Sequence, residues 1–145
     1  MNVQRRGGEA ERLHPGAYPV FAQLVQNRVA AHLHIAEGYV SRAYCIRPSQ
    51  FFLQTRGERH VSQARQLVMY LAHVELGLSL EHVGHRYHRH RSTAAYACRV
   101  TESRRDDPEF DELVSQLETL ISLKDDPLFF SVCGEAYDEA FAQGF

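Results

Sequence analysis

The chain has 145 residues, a formal net charge of −2, 44% apolar residues and 23% charged ones. That length holds one ordinary domain with a buried core, and that balance excludes global disorder. No apolar run approaches the roughly 18 residues of a membrane span, and the N-terminal MNVQRRGGEAERLHPG carries no signal-peptide core, so the expected place is the cytoplasm. Three cysteines, Cys45, Cys98 and Cys133, lie far apart without CxxC spacing, and structural disulfides are not expected.

The charge is unevenly placed. Residues 1–41 carry +1, residues 42–105 carry +7 with six histidines besides, and residues 106–145 carry −10. A polyanion can meet the middle of such a chain and is repelled by its end.

Residues 1–16, rich in Arg, Gly and Glu and closed by Pro15-Gly16, read as a flexible leader. From Ala17 to Leu33, the residues Val20, Phe21, Leu24, Val25, Val29 and Leu33 recur at helical spacing and predict an amphipathic helix. Residues 35–61 hold the breakers Gly38, Pro48 and Gly57 and the charges Arg42, Arg47, Arg56 and Arg59; they read as loop with one short helix around Ser49–Leu53. Ser62 is the expected cap of a long helix whose buried stripe is Leu67, Val68, Leu71 and Val74, and Gly77 fits just past its end. Ser79 caps a short helix over Leu80–Tyr87, with Leu80, Val83 and Tyr87 on one face. After a break at His88–Arg91, Ser92 or Thr93 is expected to cap a helix to about Arg104, with Ala94, Ala97, Cys98 and Thr101 on one side. Asp107-Pro108 starts a further helix bearing Phe110, Leu113, Val114, Leu117, Leu120 and Ile121. Asp126-Pro127 repeats that start signal ahead of LFFSVCGEAYDEAFAQGF. No stretch alternates with period two, so the predicted fold class is all-α, a helix bundle.

A short helix, a tight turn and a second helix that opens with arginine and hydroxyl residues is the sequence form of a helix-turn-helix. The small residues Ala94, Ala95, Ala97 and Cys98 allow the second helix to lie close on the first, while Arg89, His90, Arg91, Ser92 and Thr93 stand at its N-terminal end. Backbone N–H groups and the helix dipole favour phosphate there. Arginine can donate a bidentate pair to guanine, and Ser or Thr can serve phosphate or a thymine methyl. The expected organisation is therefore a leader at 1–16, a helix-turn-helix DNA-binding domain at 17–123, and an acidic, aromatic helix or tail at 124–145.

The run GLSLEHVGHRYHRHRSTAAYACR resembles the signature of domain IV of the bacterial chromosomal replication initiator DnaA, approximately S-L-P-E-I-G-x-x-F-G-G-R-D-H-[ST]-T-V-x-x-A-C/Y-R/K, on Ser79, Leu80, Gly84, Tyr87, Arg89, Thr93, Ala97, Cys98 and Arg99. Upstream, SQARQLVMYLA at 62–72 is similar to the family's A-R-P-R-Q-x-A-M-Y-L-A, and LQTRGERHV at 53–61 stands where the family has a basic loop. The resemblance covers roughly residues 20–122. It implies a Trp-repressor-like helical fold, a helix in the major groove and a basic loop reaching the adjacent minor groove. The matched positions are Arg56 and Arg59 in the loop, Arg65 and Gln66 and the Leu80 backbone on the phosphate side, Arg89, His90, Arg91, Ser92 and Thr93 at the recognition end, and Tyr96 where the family often has a phosphate-contacting His. The chain departs from the pattern at His90-Arg91, where the family has Asp-His, so those positions imply a different base readout. Glu81 replaces a Pro, one residue of the Gly-Gly turn is missing, and about ten residues are inserted near Tyr39–Ser49. No GxxxxGK[ST] loop is present, and an ATPase domain has no room.

Other chemistry is weaker. His82, His85, His88 and His90 alternate with Arg86, Arg89 and Arg91, whose charge opposes a bound cation, so no metal is expected and the imidazoles read as solvent- or phosphate-facing. The arginines of residues 42–59 have a plainer reading as a solvated loop. Cys98 reads as a small apolar packing residue. No nucleophile–base order, carboxylate pair or phosphate loop stands out; neither an enzyme nor a cofactor is expected. The apolar tail residues Phe129, Phe130, Val132, Tyr137 and Phe141 fit packing back on the domain, self-association or a protein partner through residues 126–145. The expected function is sequence-specific binding of double-stranded DNA by a nucleoid-associated protein, as a transcriptional regulator or a competitor at initiator-like sites. The rival is a protein-interaction module that keeps the fold without DNA readout.

Overall fold

A computed structural model of the protein describes residues 27–124 together with Val20 and Gln23. Five α-helices and no strand occur among the described residues: α1 (Arg28–Ala43), α2 (Arg59–Tyr70), α3 (Leu80–Arg86), α4 (Arg91–Arg104) and α5 (Pro108–Ile121). None of them is long and apolar enough to cross a membrane. A short 3-10 turn, Pro48–Phe52, precedes α2, where the sequence predicts a short helix. The expected leader over residues 1–16, and the acidic and aromatic stretch from residue 125 on with its Asp126-Pro127 start signal, lie outside the described residues. Val29–Asp125 cluster as one compact unit.

The first helix corrects the sequence reading. It continues through residues 35–43, where loop is expected, because Val29, Leu33, Ala36 and Val40 form one fully buried stripe at helical spacing. Gly38 does not interrupt it; a side chain there would meet nothing. Val20, expected on a buried stripe, is 82% exposed, while Phe21, Leu24 and Val25 lie outside the described residues.

Helix α2 is the centre of the unit. Ala64, Arg65, Leu67, Val68, Met69, Tyr70, Leu71 and Ala72 are all buried, so the helix is enclosed on nearly every side. It starts earlier than expected, with Glu58 rather than Ser62 at the position before its first turn and no side-chain cap there. Its end widens to a five-residue hydrogen-bond step, with the Leu76 N–H donating to the Leu71 carbonyl at 3.1 Å. Gly77 then leaves in the left-handed region at φ 75°, as its place past the helix end predicts, and Val74 turns to the surface instead of the core.

Helices α3 and α4 pack on each other, and α4 packs on α2. Ala94 and Ala97 are fully buried on α4, and their small size permits that approach. Two polar nodes attach the remaining helices. Glu37 of α1, only 3% exposed, accepts hydrogen bonds from Arg86 Nε and from Tyr87 Oη, each at 2.8 Å. Burial works against the Arg86 charge, but the Glu37 carboxylate outweighs it and holds Arg86 above its ordinary value. Burial and the same carboxylate push the Tyr87 hydroxyl well up. Arg105, just past α4, donates through Nε to Asp111 at 2.6 Å, and through its other nitrogens to Tyr70 Oη, Glu118 and Ser115 Oγ. Asp107 caps α5 as predicted, accepting from the Glu109 N–H, and Phe110, Val114, Leu117 and Ile121 face inward. Leu120, expected on that face, is half-exposed.

Candidate nucleic-acid interface

Helix α3 begins as the sequence predicts, with Ser79 Oγ accepting from the His82 N–H at 3.1 Å. It ends at Arg86, and the chain then reverses within four residues. His88 adopts φ 56° in that turn, a left-handed conformation that a side chain rarely takes. The Arg89 N–H donates to the Gly84 carbonyl at 2.8 Å, so the turn lies directly on α3. Only glycine fits at position 84: a Cβ there would stand 2.5 Å from the Arg89 carbonyl oxygen. Tyr87, fully buried, stacks on Phe52 with ring centroids 5.6 Å apart, fixing the 3-10 turn to the helix pair.

The cap of α4 differs from both expected hydroxyl residues. His90 is the N-cap, its Nδ1 accepting from the Ser92 N–H at 3.1 Å and standing 2.8 Å from Ser92 Oγ. A ring nitrogen does there what a carboxylate or hydroxyl oxygen does in most caps. Ser92 and Thr93 are thereby placed within the first helical turn. Arg91, Ser92 and Thr93 are all exposed, and Tyr96, half-exposed, and Arg99 continue the row from Ser92 at helical spacing.

An open cleft runs between this turn and the loop ahead of α2. Its walls include Arg56, Arg65, Gln66, Arg89, His90, Thr93 and Tyr96, seven of the eleven residues expected to contact DNA. The other four stand outside its walls. Arg59 opens α2 and is exposed, Leu80 opens α3 and is half-buried, and Arg91 and Ser92 share the first turn of α4 with His90 and Thr93. Gln54, Ser62, Met69 and His88 also line the cleft; of these only His88 was read from the sequence for such a surface, as a solvent- or phosphate-facing imidazole. Gln54 had a signal, its place within the basic loop; Met69 reads from its spacing as core alone.

Two of the expected contacts have another task. Arg65 is 3% exposed, and its Nε, Nη1 and Nη2 donate to the carbonyls of Phe51, Arg56 and Gln50 at 3.2, 3.2 and 3.1 Å. It clamps the loop from within the cleft wall, buried where the family resemblance implies a phosphate-side position. Burial lowers its ordinary value, with the nearby Arg89 charge adding to the effect. Arg89 donates through Nη1 to Gln54 O and His88 O, both at 3.1 Å, and through Nη2 to Thr55 O at 2.8 Å.

The surroundings of the remaining chemistry are plain. Burial pushes the half-buried Cys98 thiol up, with Glu102 adding to the effect, which keeps it protonated and a poor nucleophile. His82 bonds to its own cap Ser79 and His90 to Ser92, while His85 and His88 are exposed. No group of three or more metal-ligating side chains converges among the described residues.

Residues 34–100 match the family model described as the bacterial dnaA protein helix-turn-helix. No solved structure matches the chain.

Proposed function

From the premise of a helix-turn-helix domain like the DnaA domain IV, matched over residues 34–100, we propose that this chain binds double-stranded DNA in a sequence-dependent manner. The observation that carries the reading is the exposed first turn of α4, with Arg91, Ser92 and Thr93, of which Thr93 lines one cleft with the exposed Arg56 of the basic loop. The first turn enters the major groove, where Arg91 reads a base edge and Ser92 and Thr93 serve a thymine methyl or a phosphate. Arg56 reaches the adjacent minor groove, and Arg59, Gln66, Tyr96 and the Leu80 N–H lie toward the flanking phosphates. With His90-Arg91 in place of an Asp-His pair, the preferred site differs from the initiator's own. Such a protein acts as a transcriptional regulator, or as a competitor at related chromosomal sites.

Salt dependence tests the reading. If about five phosphates are neutralised, the logarithm of the binding constant falls with the logarithm of salt at a slope of roughly −4 to −5. Fluorescence anisotropy on a labelled duplex measures it; a flat response, or no binding at low salt, leaves the domain as a protein-interaction module.

A further inference from the structure

Three consecutive carbonyls of the basic loop turn inward onto two guanidiniums. Those of Gln54 and Thr55 accept from Arg89, and that of Arg56 accepts from the buried Arg65. No peptide bond among the described residues is cis, and in a trans peptide an inward carbonyl sends the next N–H outward. The N–H groups of Thr55, Arg56 and Gly57 therefore point away from the clamp, and none of them donates a hydrogen bond within the described residues. The loop is exposed throughout, and Arg56 lines the open cleft.

That orientation matters to a polyanion. A loop with its carbonyl oxygens outward would set partial negative charges against phosphate, whereas one with its carbonyls held inward presents donors and a guanidinium. We propose that Arg89 is a positioning residue of the DNA interface: it holds the Gln54 and Thr55 carbonyls so that Arg56 and the loop amides face the duplex, and does not itself contact phosphate. The inference rests on the DNA-binding reading above. Arg89 itself lies in the turn before α4, so its bonds to Gln54 and Thr55 join the loop to the helix that carries Arg91. One side chain thus sets the spacing between the two groove-facing elements. A planar fork suits two successive carbonyls, one on each terminal nitrogen; a lysine ammonium keeps the charge and loses the fork.

A duplex selected by the wild-type chain from a randomised pool is the probe, with Arg56→Ala, Arg89→Ala, Arg89→Lys and the Arg56→Ala/Arg89→Ala double variant. Arg56→Ala should weaken binding roughly tenfold, the loss of one arginine contact. Arg89→Ala and Arg89→Lys should each lose at least as much, and in the Arg56→Ala background Arg89→Ala should lose only the smaller share that the loop amides contribute, because it acts through that residue and those amides. Without DNA, backbone order parameters at Thr55, Arg56 and Gly57 should fall from about 0.85 to below about 0.6 in both Arg89 variants, with those of α2 and α4 unchanged. Wild-type affinity in Arg89→Lys, losses that multiply in the double variant, or unchanged order parameters would each overturn the proposal. Absence of salt-dependent binding by the wild-type chain removes the DNA reading instead, and the order parameters then decide alone whether Arg89 holds the loop.

Discussion

Two adjacent residues in the first turn of α4 divide the work. The His90 ring faces back and caps the helix through Nδ1, while the exposed Arg91 guanidinium makes no hydrogen bond or ion pair among the described residues. A ring held by its own helix has one nitrogen left for a ligand; a free guanidinium has five donors. Base discrimination should therefore rest on Arg91. Arg91→Ala is expected to relax preference at one base position by about 1–3 kcal/mol, read as a flattened column when the variant selects from a randomised duplex pool. Equal weakening on every sequence would instead make Arg91 a phosphate contact. The neighbouring turn carries its own cost, because His88 holds a left-handed conformation without being glycine.

At the scale of elements, the α3–α4 pair depends on contact of backbone with backbone. Gly84→Ala gains up to about 1 kcal/mol of helix propensity. It also drives a methyl to 2.5 Å from the Arg89 carbonyl oxygen, which belongs to a turn and not to a flexible side chain. Overpacking of that kind costs roughly 1–3 kcal/mol, so the clash wins and the variant should unfold at lower temperature than the wild type. Circular dichroism melting measures this; an unchanged or higher midpoint would mean that the turn yields freely. Much of the helix order was legible because burial writes a 3.6-residue period into the sequence, as at Val83 and Tyr87 or Phe110, Val114 and Leu117. Less legible were features that depend on partners distant in sequence. Glycine at position 38 reads as a break until Glu37 and Val40 are seen to be buried around it. Arg65 reads as a surface charge until the carbonyls of Gln50, Phe51 and Arg56 close on it. Hydroxyl residues are the usual caps, so the sequence favours Ser92 or Thr93, whereas the turn geometry brings the His90 ring nitrogen to the Ser92 N–H.

At the scale of the whole unit, α5 closes on the end of α2 with charge as well as apolar contact. Burial raises the Glu75 carboxyl above its ordinary value, the negative Glu118 of α5 raises it further, and Lys124 and Ser122 only partly offset this. A carboxyl whose folded value is raised weakens the fold while it is ionised. That cost is present at neutral pH and fades as pH falls through the raised folded value toward the ordinary one, where both states become protonated. Glu75→Gln should therefore raise the melting temperature at pH 7 by more than it does near pH 4, measured by scanning calorimetry on both chains. An equal shift at both values would show that the charge plays no part. The buried Arg65 bears on the same scale, since one guanidinium joins the 3-10 turn, the basic loop and the central helix. The residues that hold these pieces, Gly84, Arg65 and Arg89, are distinct from the exposed Arg91 and Thr93. On the DNA-binding reading proposed above, substitutions can therefore accumulate at the exposed pair one at a time, each altering a preference for DNA while leaving foldability intact, so that a lineage of such proteins can drift toward new sites without passing through unfolded ancestors.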